Sequence, residues 1–437
     1  MNRLFPGISS GSRRRAFLAV TVVATLSSSP GFAQIEPFGA EVPLNVETLG
    51  EQFGAVVARA PDDSFVVVWT SVGQDGSLEG IYLRRFSESG EPLGGEQQVN
   101  THTANDQSDP DLAFLAGGGF VVVWDSDLQD GELRGIYGQI FDGAGQPVGS
   151  ELPINATTAG DQNDAVVAPA SGGGFLAAWE TQAAGDPFED LVVRLFDSAG
   201  QPLTGEIELN QTTAGDQEDL DLATDGTGGF VAVWESDGQG EDGDAIVARL
   251  LDPTGMPVGD EIAVNVFTTG DQHNPDLAVR PDGTFAVAWQ DDAQGAFPLA
   301  FFRGFAADGT AVTGEVATDG EDHPRFLPRL DFADDGGPVV VWISEGEDGS
   351  GAGSRLRHFD ATGAPLGASL PLNLETFGNQ VFPHLATGGT SCGLAVWESD
   401  GDQDGSGTGV FARRLCTFLF SDGFESGDTS AWSAVVP

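Results

Sequence analysis

Pro110-Asp111-Leu112-Ala113-Phe114-Leu115, a glycine turn at Gly117-Gly118-Gly119, then Phe120-Val121-Val122-Val123-Trp124: this stretch decides the fold. A five-residue apolar run bounded by turn residues is the signature of a strand covered on both faces. Beyond the polar loop 125–133 lies a third run, Gly135-Ile136-Tyr137-Gly138-Gln139-Ile140-Phe141. The turn Asp142-Gly143-Ala144-Gly145-Gln146-Pro147 then leads to a fourth, residues 151–155. Glycine supplies positive φ, aspartate caps local backbone, and proline stays outside the ladders, so each junction has workable turn chemistry. The unit reads as four short antiparallel strands.

That unit recurs. Trp69, Trp124, Trp179, Trp234, Trp289, Trp342 and Trp397 stand 55, 55, 55, 55, 53 and 55 residues apart. Asn45, Asn100, Asn155, Asn210 and Asn265 keep the same step and resume at Asn373. A third marker runs from Gln52 through Gln107, Gln162, Gln217 and Gln272 and resumes at Gln380. Seven four-stranded modules predict an all-β, seven-bladed β-propeller over residues 34–417, its blades stacked face to face around a channel. A β-solenoid, the main competitor, has shorter coils and parallel strands. Amides and tryptophans repeated in nearly every module read as scaffold, because a catalytic group is needed only once.

The two ends complement each other. Phe38-Gly39-Ala40-Glu41-Val42-Pro43-Leu44-Asn45 matches a fourth strand yet precedes the first module, whereas the last module stops after its third strand. The N-terminal segment is thus expected to complete the last blade and close the ring of a monomer. Cys392 and Cys416 flank the hairpin of that blade and fall opposite each other, which predicts a structural disulfide.

Composition bounds the surroundings. Residues 1–33 carry Arg13-Arg14-Arg15, an apolar stretch from Ala16 to Leu26 and the small-x-small site Gly31-Phe32-Ala33, the layout of an export signal. The expected location is secreted, periplasmic or cell-surface, and no later segment is apolar enough to span a membrane as a helix. The net charge is −49, the chain has no lysine, and every acidic residue follows Ala33. Such a surface repels phosphate backbones and anionic lipid, which argues against nucleic-acid partners, and it attracts cations.

In a four-stranded blade, the loop after the second strand and the loop into the next blade open on one face. Both are acidic here, so one rim should gather carboxylates. The sharpest motif is Asp400-Gly401-Asp402-Gln403-Asp404-Gly405, whose alternating aspartates and sixth-position glycine suit a loop wrapped around Ca²⁺. Phe411 stands where an EF-hand needs glutamate, so no EF-hand is expected. Asp125, Asp127 and Asp130 form a weaker version. Module six, two residues short, carries His323, Arg325 and Arg329 near its start, a candidate site for an anionic ligand or for acid–base work.

The module at 118–149 resembles a tryptophan-containing repeat of about 55 residues common in large secreted bacterial proteins, RTX-like and calcium-associated surface proteins among them. The resemblance covers roughly residues 38–416 and implies a propeller on an exported protein rather than one activity. The Asp-x-Asp-x-Asp-Gly loop is similar to calcium loops on integrin-type propeller blades. The tail 418–437, with Asp422-Gly423-Phe424-Glu425-Ser426-Gly427-Asp428 and Trp432, looks like a C-terminal segment of other exported bacterial proteins, a resemblance that implies a sorting segment. Two functional readings follow. One is a non-enzymatic, calcium-assisted binding or adhesive module engaging a protein or glycan at its acidic rim. The other is a secreted polysaccharide hydrolase or lyase.

Overall fold

The computed structural model describes residues 34–417, apart from positions 242, 321–322, 348, 389–391, 402 and 406. The export signal, the tail and Asp402 therefore lie outside the described residues. Seven antiparallel sheets of four strands each form a seven-bladed β-propeller, and no helix occurs among the described residues. Blades 1 to 6 span residues 52–98, 107–153, 161–208, 217–263, 272–317 and 325–371. Blade 7 takes three strands from residues 380–417 and its outer strand from Ile35–Pro43, which pairs antiparallel with Gly409–Thr417. The ring closes as the sequence reading expects.

The first strands of successive blades pack against one another around the axis, so blades 1 to 6 run outward in chain order. The second strands lie between two neighbours, which explains their unbroken apolar character. All seven repeat tryptophans are at most 1% exposed, and each apolar cluster draws on two adjacent blades. Burying one such side chain contributes about 2–3 kcal/mol, and the ring makes that contribution seven times.

Polar markers hold the junctions. In blade 2, Asn155 Oδ1 accepts the Ile136 N–H at 2.9 Å while its Nδ2 donates to the Thr157 carbonyl and to Gln162 Oε1. The same pattern recurs at Asn45, Asn100, Asn265 and Asn373. Arginines of the third strands add a second staple that periodicity also contains. Arg84, Arg194, Arg303 and Arg413 each donate to a carbonyl of the preceding blade, at 2.7–2.9 Å. Much of the scarce positive charge is thus spent inside the ring.

Cys392 and Cys416 are joined, clamping the closure blade. A bridge spanning 24 residues stabilises by about 3 kcal/mol through the unfolded chain. The Cys392→Ser/Cys416→Ser double variant should lose that amount in chemical denaturation. Equal denaturation midpoints for the two proteins would show that the bridge adds nothing.

Candidate functional site: the channel mouth

Each innermost strand breaks register once, near its start. The bulge residues Gly54, Asp109, Asp164, Asp219, Asn274, Leu327 and Phe382 have φ between +47° and +63°. Aspartate and asparagine tolerate that left-handed region, whereas Leu327 and Phe382 sit there at a steric cost. The side chain after the core tryptophan reaches across to the bulge N–H of the next blade. Asp125 accepts from Asp164 at 3.1 Å, Glu180 from Asp219 at 2.7 Å, Glu398 from Gly54 at 2.7 Å and neutral Gln290 from Leu327 at 3.4 Å.

Two residues beyond the bulge, seven positions face the axis. Blades 1 and 3 carry Val56 and Val166; the other five carry Asp111, Asp221, Asp276, Arg329 and His384. They line a cavity of about 300 Å³ whose floor comes from the innermost strands of all seven blades. At Oδ2, Asp111, Asp221 and Asp276 each accept a backbone N–H of the next blade, those of Val167, Leu277 and Leu330. Arg329 Nε lies 3.5 Å from Asp276 Oδ1. Burial pushes the Asp111 and Asp276 carboxyls up to about 7, and burial with the Arg329 charge pushes His384 down to about 3, leaving it neutral. His384 Nδ1 is buried without a hydrogen-bond partner.

The mouth is lopsided. Blades 2 to 5 present Asp109, Asp164, Asp219 and Asn274, whereas blades 6 and 7 present Leu327 and a 52%-exposed Phe382 above Arg329 and His384. One wall is acidic; the facing wall is apolar and basic.

The sequence candidates scatter around this centre. Of the module-six group, Arg329 alone lines the channel. Arg325 is 2% exposed at the position where other blades carry glutamine, and its Nη1 donates to the His323 carbonyl. Asp400 accepts both the N–H and the Nδ2 of Asn379, and Asp404 accepts Asn45 Nδ2 at 2.8 Å. These two aspartates join no cluster of three possible metal ligands among the described residues. Asp125 and Asp127 share a small cavity with Glu79, Asp106 and Arg134, but Asp130 turns away to cap the Glu132 N–H. Two clusters do place three possible ligand atoms within 4.8 Å of one another: Asp109, Asp125 and Asp164, and Glu235, Asp244 and His273. In the first, burial and the neighbouring carboxylates Asp164 and Asp109 raise Asp125 well above the usual carboxylate range. In the second, the hydrogen bond that His273 donates to Glu235 raises its imidazole to about 9, so an imidazolium sits among the carboxylates.

The chain matches no family model and no curated protein. A crystal structure of a protein of unknown function from Dyadobacter fermentans is similar at a TM-score of 0.53 and 13% identity, over 89% of this chain and all of that one. The β-propeller domain of the trilobed protease from Pyrococcus furiosus has a TM-score of 0.46 and 8% identity, over 82% of this chain and 93% of that one. The NanB sialidase of Streptococcus pneumoniae, as its K499G mutant, has a TM-score of 0.45 and 9% identity, over 91% and 72%. At such identities the likeness is one of fold alone.

Proposed function

We propose that the protein is an exported binding module that holds a glycan of the cell envelope at its channel mouth, with Ca²⁺ assisting. The observation that carries this reading is the convergence of the non-repeated residues: Asp111, Asp221, Asp276, Arg329 and His384 come from five blades and meet in one cavity. Carboxylates accept sugar hydroxyls, a guanidinium and a neutral imidazole offer complementary partners, and an exposed aromatic ring covers the apolar face of a pyranose. The wall formed by Phe382 and Leu327 faces the acidic wall, which suits a ligand with one polar and one apolar side. The disulfide suggests an oxidising compartment, in keeping with export.

Screening a glycan array with and without calcium tests the reading. Bound glycans should be lost, by about tenfold or more in affinity, in Phe382→Ala and Asp221→Asn. Binding that survives both substitutions, or no bound glycan at all, rules out the channel mouth as the site. The hydrolase reading draws on one observation, the two carboxyls of Asp111 and Asp276 near 7 on walls of one cavity, since glycoside hydrolysis needs a protonated acid. Shortened oligosaccharides after incubation would favour it; intact ones favour binding.

A further inference from the structure

Seven copies of one local arrangement surround the channel mouth and differ only in side chains. Each brings together the bulge residue of a blade, the residue after that blade's tryptophan, and the bulge residue of the next blade. At blade 6 these are Leu327, Ile343 and Phe382, all apolar; at blade 5 they are uncharged. At blade 2 they are Asp109, Asp125 and Asp164, three carboxylates with an oxygen each within 4.8 Å of the others.

A second observation sets this copy apart. Asp125 is 1% exposed, and while its Oδ2 accepts the Asp164 N–H, its Oδ1 is buried with no hydrogen-bond partner. A buried carboxylate oxygen without a donor costs more than an ordinary hydrogen bond contributes, so the oxygen calls for a counter-charge. Arg134 does not supply enough. It makes a bidentate pair with Asp161 at 2.9 and 3.0 Å and approaches Asp125 Oδ2 only to 3.7 Å. The comparable cluster between blades 4 and 5 differs, because His273 stands in it, 3.1 Å from Glu235 and 3.5 Å from Asp292.

We propose that Asp109, Asp125 and Asp164 bind a hard divalent cation, Ca²⁺, which bridges blades 2 and 3 at the channel mouth. All three ligands are oxygens, and two oxygens on opposite sides of a Ca²⁺ ion lie about 4.6–5.2 Å apart, a separation in keeping with three oxygens within 4.8 Å of one another. Asp109 and Asp164 are exposed, so water can fill the remaining positions that the ion demands. The ion would satisfy the orphaned oxygen of Asp125 and tie two blades together where their innermost strands share no ladder. The site deepens the calcium-assisted reading above by moving the ion from the Asp400 loop to this junction.

Calorimetric titration of the exported chain with CaCl₂ at neutral pH tests it. Asp109→Asn and Asp164→Asn keep the left-handed backbone, as Asn274 does in blade 5, and should each weaken calcium binding about tenfold or more. Asp400→Asn should leave it unchanged. Without calcium, both site variants should melt at or above the parental temperature, because a like charge has been removed. Calcium binding that persists in the site variants, or vanishes in Asp400→Asn alone, overturns the proposal. So does an absence of binding up to about 10 mM, beyond the weakest extracellular calcium modules. Because no glycan is present in this titration, the glycan reading can fail while the metal site stands, and the reverse.

Discussion

Raising the pH from 5 to 8 should destabilise this protein, and Glu398→Gln should recover part of the loss. Glu398 is 7% exposed, and burial pushes its carboxyl up to about 7, against about 4.3 in an unfolded chain. Between those values the folded state holds more protons than the unfolded state, so stability falls as pH rises through the window. At pH 8 the folded protein carries a buried ionised glutamate at a cost of about 2–3 kcal/mol. The amide in Glu398→Gln keeps an oxygen for the Gly54 N–H, as Gln290 does naturally for Leu327. The variant should therefore be more stable than the parent by about 2 kcal/mol at pH 8 and equal to it near pH 5. Asp111, Asp276 and Glu218, all raised to about 7, act in the same direction. The exposed turn aspartates Asp62, Asp252 and Asp360 act oppositely. Hydrogen bonds from Ser64, Thr254 and Thr362 lower them, and that small contribution disappears only as pH falls below their ordinary value. Urea denaturation at both pH values decides the matter. Identical midpoints for the parent, or a Glu398→Gln variant that is weaker at pH 8, would show that these carboxyls are not desolvated.

Deleting residues 34–46 should cost about 5 kcal/mol or more, since it removes Ile35 and Leu44, 5% and 1% exposed in the closed ring, and uncovers the apolar clusters they pack against. Other losses accompany that. The outer edge of Gly409–Thr417 becomes an unpaired strand, Val410 loses the Asn45 Oδ1 acceptor at 3.0 Å, and Ile35 N–H no longer reaches His358 Nδ1 at 3.1 Å. An open edge is also a template for pairing with another chain, so the truncated protein should aggregate on heating. A synthetic peptide of residues 34–46 should restore both properties by strand addition. A truncated protein that melts like the parent, or one indifferent to the peptide, would mean that the closing strand is ornamental.

How far the sequence is legible depends on the range of the interaction involved. Strand, turn and repeat are short-range features: Phe120 to Trp124 reads as a doubly covered strand from its own residues, and the 55-residue step multiplies that reading. The closing strand and the disulfide are legible for the same reason, since Phe38 to Asn45 copies a local pattern and Cys392 and Cys416 bracket one hairpin. The Asp400 loop combines a local pattern with partners that only the fold supplies. Its alternation is that of a cation loop, yet the folded chain turns Asp400 to Asn379 and Asp404 to Asn45, groups that arrive from other connections. Arg325 is a similar case, singular in type but buried at a scaffold position.

The mouth of the channel had one usable signal. Positions 56, 111, 166, 221, 276, 329 and 384 keep the repeat's step while changing chemistry, in contrast to the constant Trp, Asn and Gln positions. Yet along the chain Asp111 and Asp276 are strand residues 165 positions apart, with nothing nearby to mark them. Local preferences and a period are enough to specify blade, count and closure, because each is settled within one hairpin or between neighbouring blades. Which carboxylates face one another, which oxygen is left without a donor, and which arginine reaches the cavity are settled only when seven sheets meet around an axis. Ring closure brings distant residues into one desolvated volume, and burial there sets their charge and partners.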